Sequence, residues 1–165
     1  MAHLEIREAT ADDAPGLAGV HVRSWQVGYL GIVPDEVLDG LSVATRERQW
    51  REWIEQGTWI RVACRDGLIV GLCAVLRTGD DPANGEVAAL YVDPPAFRTG
   101  VGTALLNTAL AHLSAAAAQQ VTLWVFTGNA RARAFYARYG FAPDGGSDEH
   151  ISGAPELRLR AALTG

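Results

Sequence analysis

The segment Glu86–Leu106 constrains the fold of this chain more than any other segment does, because it joins a strand-like run to a helix through a glycine loop. Glu86–Val92 is largely apolar, and Gly100 and Gly102 precede a helix-like apolar run. Glycines at a helix start let the main chain approach a ligand closely, and the first N–H groups of a helix have no internal partner. Such a place binds pyrophosphate well, so this order indicates a nucleotide or a coenzyme tail.

The same residues exclude two other phosphate-binding loops. The dinucleotide fingerprint needs a third glycine where Leu105 stands, and no Gly-Lys-Ser/Thr follows to make a Walker loop. A pair of glycines before a helix is by itself also compatible with a simple tight turn. Other segments of the chain are therefore needed to decide between a ligand site and a turn.

Composition and charge exclude several classes of partner. The 165 residues carry 14 Lys and Arg against 19 Asp and Glu, a net charge of −5, without a basic run. A nucleic-acid partner is disfavoured, since phosphate binding needs clustered Lys and Arg. No apolar window is long enough to span a membrane, and the N-terminus lacks the apolar segment of a signal peptide. We expect a cytoplasmic, single domain over residues 1–165.

The cysteines and histidines do not predict a metal site. Cys64 and Cys73 lie in strand-like apolar runs and are interpreted as buried free thiols, although a disulfide across a hairpin stays open. The histidines show no metal-ligand spacing; they are His3, His21, His112 and His150. We therefore expect no bound metal.

The hydrophobic periodicity predicts a mixed α/β domain. Strands are predicted at Leu4–Ala9, Trp59–Cys64, Leu68–Leu76, Glu86–Val92, Val121–Phe126 and Glu156–Arg160. Helices are predicted from Thr10 to about Tyr29, at Val43–Gln56, from Gly100 to about Ala118 and at Asn129–Tyr139. Asp66-Gly67 predicts a hairpin turn, whereas Thr78–Gly85 and Gly145–Gly153 are interpreted as loops. The first part of the sheet is expected to be antiparallel.

Three segments agree in order and spacing with one known family. They are the strand with its glycine loop, the apolar strand that ends in Leu123–Asn129, and the pattern Asn-x-x-Ala-x-x-Phe-Tyr at Asn129–Tyr136, followed by Gly140-Phe141. Together they resemble the GNAT superfamily of acyl-CoA-dependent N-acetyltransferases, over nearly the whole chain. The resemblance implies a mostly antiparallel central sheet with splayed fourth and fifth strands, flanked by about four helices.

The resemblance implies acetyl-CoA as co-substrate, held between the splayed strands. The pantetheine arm would pair with the main chain of the fourth strand and face Leu90, Tyr91 and Val92. The pyrophosphate would lie on the N–H groups of Arg98, Thr99, Gly100, Val101, Gly102 and Thr103. Asn129, Phe135 and Tyr136 complete the predicted coenzyme site. Members of the family usually carry Arg or Gln where Phe97 stands, so coenzyme affinity is weakened unless the main chain and Arg98 suffice.

Two residues are candidates for the chemistry of acetyl transfer. Tyr136 matches a family tyrosine near the coenzyme sulfur; full proton transfer from a phenol to a thiolate is uphill by roughly 2 kcal/mol, so a hydrogen bond is the expected role. Glu86 would act as general base through a water, and His150 is the alternative base. Simpler interpretations are packing for Tyr136, a solvated strand end for Glu86 and an exposed loop for His150.

The acceptor would lie near the end of the first helix, which covers this part of the site in similar folds. Trp25 and Tyr29 precede a glycine-containing loop and could hold an apolar or cationic acceptor, although Trp25 also fits a core position. Glu86 and His150 complete the predicted substrate site. The remaining tryptophans are assigned to the core; they are Trp50, Trp53, Trp59 and Trp124.

These residues predict transfer of the acetyl group of acetyl-CoA to a primary amine of a small molecule or peptide, by direct attack in a ternary complex. A non-catalytic acyl-CoA-binding module and a partner-binding domain on the same fold are the alternatives, because fold does not fix function. The acceptor is open among antibiotics, amino acids, polyamines and protein N-termini. Exposed apolar strand edges favour a homodimer.

Overall fold

A seven-stranded sheet runs through the described residues of the chain, which are 3–77 and 81–163 in a computed structural model. Its strands are β1 Leu4–Glu8, β2 Trp59–Arg65, β3 Leu68–Arg77, β4 Asn84–Val92, β5 Gln120–Phe126, β6 Ala142–Glu149 and β7 Pro155–Ala162. The strand order is β1-β2-β3-β4-β5-β7-β6, and every neighbouring pair is antiparallel except β4 and β5. The predicted mixed α/β fold with a mostly antiparallel sheet is confirmed.

Two α-helices of the described residues, Val43–Glu55 and Ala130–Ala137, begin at a side-chain cap. The α-helices are α1 Ala14–Gly28, α2 Asp35–Asp39, α3 Val43–Glu55, α4 Val101–Ala115 and α5 Ala130–Ala137. Ser42 Oγ accepts from Thr45 N at 3.2 Å, and Asn129 Oδ1 accepts from Ala132 N at 3.1 Å, which satisfies one free N–H group of each helix. Of the helices in the described residues, none has the length and apolar character needed to cross a membrane.

Helices cover both faces of the sheet. On one face α4 places its buried residues against β3, β4 and β5, with Leu105 and Leu106 fully buried. Gly71 of β3 lets α4 come close, since a Cβ there would lie 2.7 Å from Val101 Cγ1. On the other face α1 and α3 pack Leu17 and Trp50 against β2 and β3. The two faces are called the α4 face and the α1 face below.

A bulge in β4 controls which side chains point to each face. Ala74 pairs with Ala89 and Val75 pairs with Val87, so Ala88 has no partner on β3. The extra residue changes the alternation, because a strand otherwise points successive side chains to opposite faces. Val87 therefore packs on the α4 face, and so does Leu90, three residues later.

The strands β4 and β5 diverge after a short pairing. They are joined only by three residue pairs, between Asn84–Glu86 and Gln120–Thr122. Beyond Glu86 the two strands separate, and β4 continues with β3 while β5 continues with β7. The predicted splay of the fourth and fifth strands is confirmed, and it leaves an opening through the middle of the sheet.

The predicted loop at Gly145–Gly153 is wrong in its first half. Ala142–Glu149 forms the edge strand β6, with a register irregularity between Pro143 and Ser147. Asp144 holds this edge to β7 through ion pairs with Arg158 and Arg160. Because most of β6 is exposed, its sequence has no apolar alternation to reveal a strand.

Other boundaries differ by a few residues. The helix predicted to reach Ala118 ends at Ala115, where Ala117 adopts a positive φ of 64°. The turn predicted near Asp35–Gly40 is the short helix α2. In the predicted loop Thr78–Gly85, β4 already begins at Asn84, and residues 78–80 lie outside the described part. Cys64 and Cys73 are free and buried, and the register pairs them with Ile69 and Arg61 rather than with each other.

Candidate active site

A cleft of about 1310 Å³ occupies the opening between β4 and β5. Its walls come from β4, β5, the ends of α1 and α4, and α5. Of the predicted site residues, all line it except Thr99 and Val101. The predicted residues that it brings together are Trp25, Tyr29, Glu86, Leu90, Tyr91, Val92, Arg98, Gly100, Gly102, Thr103, Asn129, Phe135, Tyr136 and His150.

The loop before α4 presents unpaired N–H groups to one end of the cleft. Gly100 is the N-cap of α4 with φ of 87°, a left-handed conformation that favours glycine. The first helical hydrogen bond runs from Ala104 N to Gly100 O, so the N–H groups of Val101, Gly102 and Thr103 have no helical acceptor. These groups fit a pyrophosphate, as the sequence predicted.

The two predicted loop residues outside the cleft have structural roles. Val101 is buried against the core of the α4 face, so only its main chain could meet a ligand. Thr99 Oγ1 donates to Ala96 O at 2.6 Å and accepts from Arg65 Nη1 at 2.8 Å. Arg65 also donates to Thr99 O at 3.2 Å. The loop is thus braced from the β2–β3 hairpin, which sequence periodicity could not show.

Phe97, which departs from the family pattern, points into the cleft rather than away from it. It reaches the C-terminal end of α1, where a Cβ on Gly28 would lie 4.0 Å from Phe97 Cζ. The next residue, Arg98, is exposed and adopts a positive φ of 61°. Phe97 therefore supplies an apolar wall, and Arg98 keeps a positive charge at the mouth of the loop.

Tyr136 approaches the cleft from the α4 face, where it packs against the core. Its ring contacts Phe135 and Phe141 in edge-to-face arrangements at 5.2 and 5.7 Å between centroids. Burial raises the pKa of the Tyr136 phenol, with smaller contributions from Cys73 and Tyr91. The hydroxyl therefore stays protonated at neutral pH and can donate a hydrogen bond.

Glu86 approaches from the opposite side. It is the last β4 residue paired with β5, and its neighbours Gly85 and Val87 both pack on the α4 face, so Glu86 points to the α1 face. The side chain is half-buried and lines the cleft. Burial raises the pKa of its carboxyl group. A carboxylate at this place can accept a proton from a molecule bound in the cleft.

His150 also lines the cleft, but its Nδ1 already has partners. Ser152 N donates to Nδ1 at 3.1 Å, and Ser152 Oγ lies 2.8 Å from the same atom. Burial lowers the pKa of His150, and the charge of Arg46 lowers it further. Because the free lone pair of the ring is occupied, Glu86 fits the role of base better than His150.

Aromatic rings enclose the end of the cleft on the α1 face. Trp25 contacts Tyr29 and Phe126 at 4.9 and 5.8 Å between ring centroids, and His150 lies 5.2 Å from Phe126. Trp25 is only 7% exposed, and its indole N–H is buried without a hydrogen-bond acceptor among the described residues. The hydroxyl of Tyr91 lies nearby but outside hydrogen-bond geometry. The predicted acceptor region thus combines core packing with a lining role.

The assignment of Trp124 to the core is wrong. Trp124 is 37% exposed and lines the cleft on the α1 face, because Leu123 and Val125 on either side of it pack on the α4 face. Every residue but one of Val121–Phe126 is apolar, so its periodicity could not separate the two faces. Sequence reasoning also missed Glu156, which pairs with Phe126 in the sheet and lines the same end.

The charges of the cleft are unevenly distributed. Exposed arginines line the cleft, and one of them, Arg98, belongs to the loop before α4, whereas the acidic lining residues are Glu86 and Glu156. The arginines are Arg98, Arg131 and Arg138. Within the described residues, no group of three or more His, Cys, Asp or Glu side chains could hold a metal ion. The arrangement fits an anionic tail at one end and a neutral or cationic group at the other.

Comparison with known proteins identifies the family. The sequence model of the acetyltransferase (GNAT) family matches residues 24–141. A probable N-acetyltransferase of Mycobacterium tuberculosis is 31% identical over 147 residues, covering 87% of this chain and 82% of that protein. A mycothiol acetyltransferase of Beutenbergia cavernae is 37% identical over 99 residues, covering 59% of this chain and 33% of that protein.

The fold is shared with solved structures at low sequence identity. The PaiA N-acetyltransferase from Thermoplasma acidophilum, crystallised with coenzyme A, superposes with a TM-score of 0.78 at 18% identity, covering 97% of this chain and 99% of that one. A GCN5-related N-acetyltransferase from Rhodopseudomonas palustris superposes with a TM-score of 0.79 at 19% identity, covering 99% and 98%. The chain therefore belongs to the acetyltransferase (GNAT) family, and its predicted class, an acyl-CoA-dependent N-acetyltransferase, is confirmed.

Proposed function

We propose that this protein transfers the acetyl group of acetyl-CoA to a primary amine of a small molecule or peptide by direct attack in a ternary complex. The amine nitrogen forms a bond to the acetyl carbon, and the bond between that carbon and the coenzyme sulfur breaks. The amine loses a proton and the departing thiolate gains a hydrogen bond or a proton. Acetyl-CoA supplies the activated acetyl group, and the residues of the cleft bind, orient and move protons.

The passage of the cleft through the sheet is the observation that carries this proposal. Tyr136 reaches the opening from the α4 face, while Glu86 reaches it from the α1 face. A coenzyme on one side and an amine on the other could therefore meet between β4 and β5. Such an arrangement favours direct attack over a covalent acyl-enzyme, since one site holds both reactants.

The coenzyme is proposed to bind through main-chain groups and arginines. Past Glu86, the edge of β4 that faces the cleft has no pairing with β5, so its polar groups are available to an extended ligand. The N–H groups at the start of α4 would hold the pyrophosphate. Asn129 uses Oδ1 to cap α5, which leaves its amide N–H₂ group free to donate to the coenzyme.

The proton movements follow from the two side chains. An amine such as that of lysine has a pKa near 10.4 and must lose a proton before it attacks. We assign this proton to the Glu86 carboxylate, through a water. Tyr136 would donate a hydrogen bond to the sulfur as negative charge develops there; its raised pKa makes complete proton transfer less favourable still.

A direct test uses the purified protein with acetyl-CoA and a broad panel of amines. Release of free thiol, together with a mass increase of one acetyl group on the amine, would support the proposal. Acetyl-CoA binding without thiol release over the whole panel would favour the non-catalytic acyl-CoA-binding module. Binding of neither acetyl-CoA nor CoA would favour a partner-binding domain.

We place the protein in the cytoplasm because its thiols suit a reducing compartment. Cys64 and Cys73 are both free and buried. Burial raises the pKa of Cys73 to about 12, so its thiol is unreactive at neutral pH. The thiols therefore have a packing role, which is consistent with the predicted location.

A further inference from the structure

Two carboxylates share the α1 face of the sheet with the aromatic end of the cleft. Glu86 points to this face from β4, as described above. Glu156 pairs with Phe126, and paired residues of antiparallel strands point to the same face. Phe126 packs with Trp25 of α1, which fixes that face as the α1 face. Glu86 and Glu156 therefore both line the acceptor end of the cleft.

Neither carboxylate is neutralised by a partner in the described residues. Among those residues, the acidic members of the ion pairs are Asp13, Asp93, Glu47 and Asp144. Glu156 lies directly opposite Asp148 on β6, an arrangement of like charges that costs stability. Burial raises the pKa of Glu156, and Asp148 raises it further. A cation bound beside Glu156 would relieve both costs.

The positive charges near this end are engaged elsewhere or lie behind the wall. Arg158, on the same face, donates to Asp144 Oδ2 at 2.7 Å. Arg46 of α3 adds positive potential at His21 and His150, but it does not line the cleft and donates to Gln49 Oε1 at 2.8 Å. The wall that faces the cavity therefore presents carboxylates and aromatic rings.

The aromatic rings suit the same kind of ligand. Tyr29 and Trp25 lie beside Phe126. Burial raises the pKa of Tyr29, and the charge of Glu156 makes a smaller contribution in the same direction. Ring faces attract organic cations, and more strongly where water is excluded.

We propose that Glu156, with Tyr29 and Trp25, selects acceptors that carry a second cationic group apart from the amine to be acetylated. This inference rests on the proposed function. Glu86 pairs with Thr122 and Glu156 with Phe126, so the two positions differ by four β5 residues, or ~13 Å along the strand. A flexible diamine of about six carbons spans this interval once both side chains turn inward. An acceptor with a carboxylate at its far end is disfavoured.

The test compares three acceptors of equal length: 1,6-diaminohexane, 6-aminohexan-1-ol and 6-aminohexanoate. Their far ends are cationic, neutral and anionic. We expect kcat/KM to follow that order, with a preference of roughly 10-fold or more for the diamine over the amino alcohol, the usual contribution of a charged hydrogen bond. In Glu156→Gln the ratio of kcat/KM for the diamine to that for the amino alcohol should fall towards 1. The change should appear in KM rather than kcat, since the far end of the acceptor is bound equally in the ground state and the transition state.

Two further variants separate the charge of Glu156 from its other roles. Glu156→Asp keeps the charge and should restore part of the preference. Glu55→Gln makes the same change of net charge on the exposed end of α3 and should leave the order unchanged. Equal use of diamine and amino alcohol by the unsubstituted protein, or a preference that survives Glu156→Gln, would overturn the proposal.

The outcome for the proposed function can be read separately. Acetylation of the amino alcohol without a preference for the diamine leaves the proposed function standing and overturns this inference. If no acceptor is acetylated, calorimetric titration of 1,6-diaminohexane onto the CoA-loaded protein shows whether the cation site exists. Binding that is lost in Glu156→Gln supports the cation site although acetyl transfer fails, and absence of binding rejects it.

Discussion

Tyr136 and Glu86 reach the cleft from opposite faces of the sheet, and burial disfavours the charged form of each side chain. Desolvation raises both pKa values, which keeps the phenol protonated and makes the carboxyl a stronger base than an exposed glutamate. The same physical cause therefore prepares one residue to donate and the other to accept a proton. Their roles can be tested one side chain at a time.

Replacing Tyr136 by phenylalanine removes the donor while keeping most of the packing. We expect kcat to fall by ~10²–10⁴-fold, the usual range for an acid–base group. The measurement is the rate of thiol release at saturating acetyl-CoA and amine. Tyr139→Phe is the matched control, since Tyr139 packs on the same helix end but does not line the cleft. An unchanged kcat in Tyr136→Phe would remove this residue from the mechanism.

Glu86→Gln should change the pH dependence of kcat/KM. A base must be ionised, so activity falls as pH drops through its pKa, and the raised pKa of Glu86 moves this acidic limb above the pH of an ordinary glutamate. The glutamine variant should lose the limb together with most activity, whereas His150→Ala should retain it. Loss of the limb in His150→Ala alone would transfer the role of base to His150.

At the scale of elements, the loop before α4, which we propose holds the pyrophosphate, depends on a strand hairpin far from it in sequence. Arg65, at the end of β2, donates to both Oγ1 and O of Thr99, and Thr99 in turn donates to Ala96 O. Asp93, at the other end of the loop, is held by Arg23 of α1 at 2.8 Å. The loop is therefore fixed at both ends before any ligand binds, which lowers the entropic cost of binding.

Arg65→Ala should raise KM for acetyl-CoA by about 3- to 10-fold with little change in kcat, because two hydrogen bonds of modest net strength are lost. Steady-state kinetics with varied acetyl-CoA provide the measurement. Arg48→Ala, at an exposed position of α3, is the control for loss of one arginine. If KM stays the same while the melting temperature falls, Arg65 has only a structural role.

Elements with their own local signals could be predicted from sequence, and those without them could not. Asn129 marks the start of α5, and Asp66-Gly67 marks the β2–β3 turn, because caps and tight turns require particular side chains. The strand β6 has no such signal because most of its side chains are exposed, and the bulge at Ala88 has none because it is defined by the pairing of β4 with β3. The bulge matters most for the site, since it sets which β4 side chains share a face.

At the scale of the whole molecule, the site exists because β4 leaves β5 and opens the sheet. The coenzyme residues proposed from family resemblance line the cleft except for Thr99 and Val101, since they follow a motif along the chain. Trp124 and Glu156 were missed because they belong to the proposed acceptor end, where strands from different parts of the chain meet. Their positions follow from strand register, which no local pattern in the sequence encodes.

Thermal unfolding with and without acetyl-CoA tests whether the coenzyme binds between β4 and β5. Ligand at ~100 times its Kd adds about 2.7 kcal/mol to the free energy of unfolding, or roughly 5–11 °C for a domain of this size. Gly102→Val is the matched control: a Cβ added at Gly102 would lie 3.7 Å from Val92 Cγ2, and we expect the larger valine side chain to fill the proposed coenzyme path. We predict a rise in melting temperature that this variant abolishes. No rise at millimolar acetyl-CoA would contradict coenzyme binding between β4 and β5.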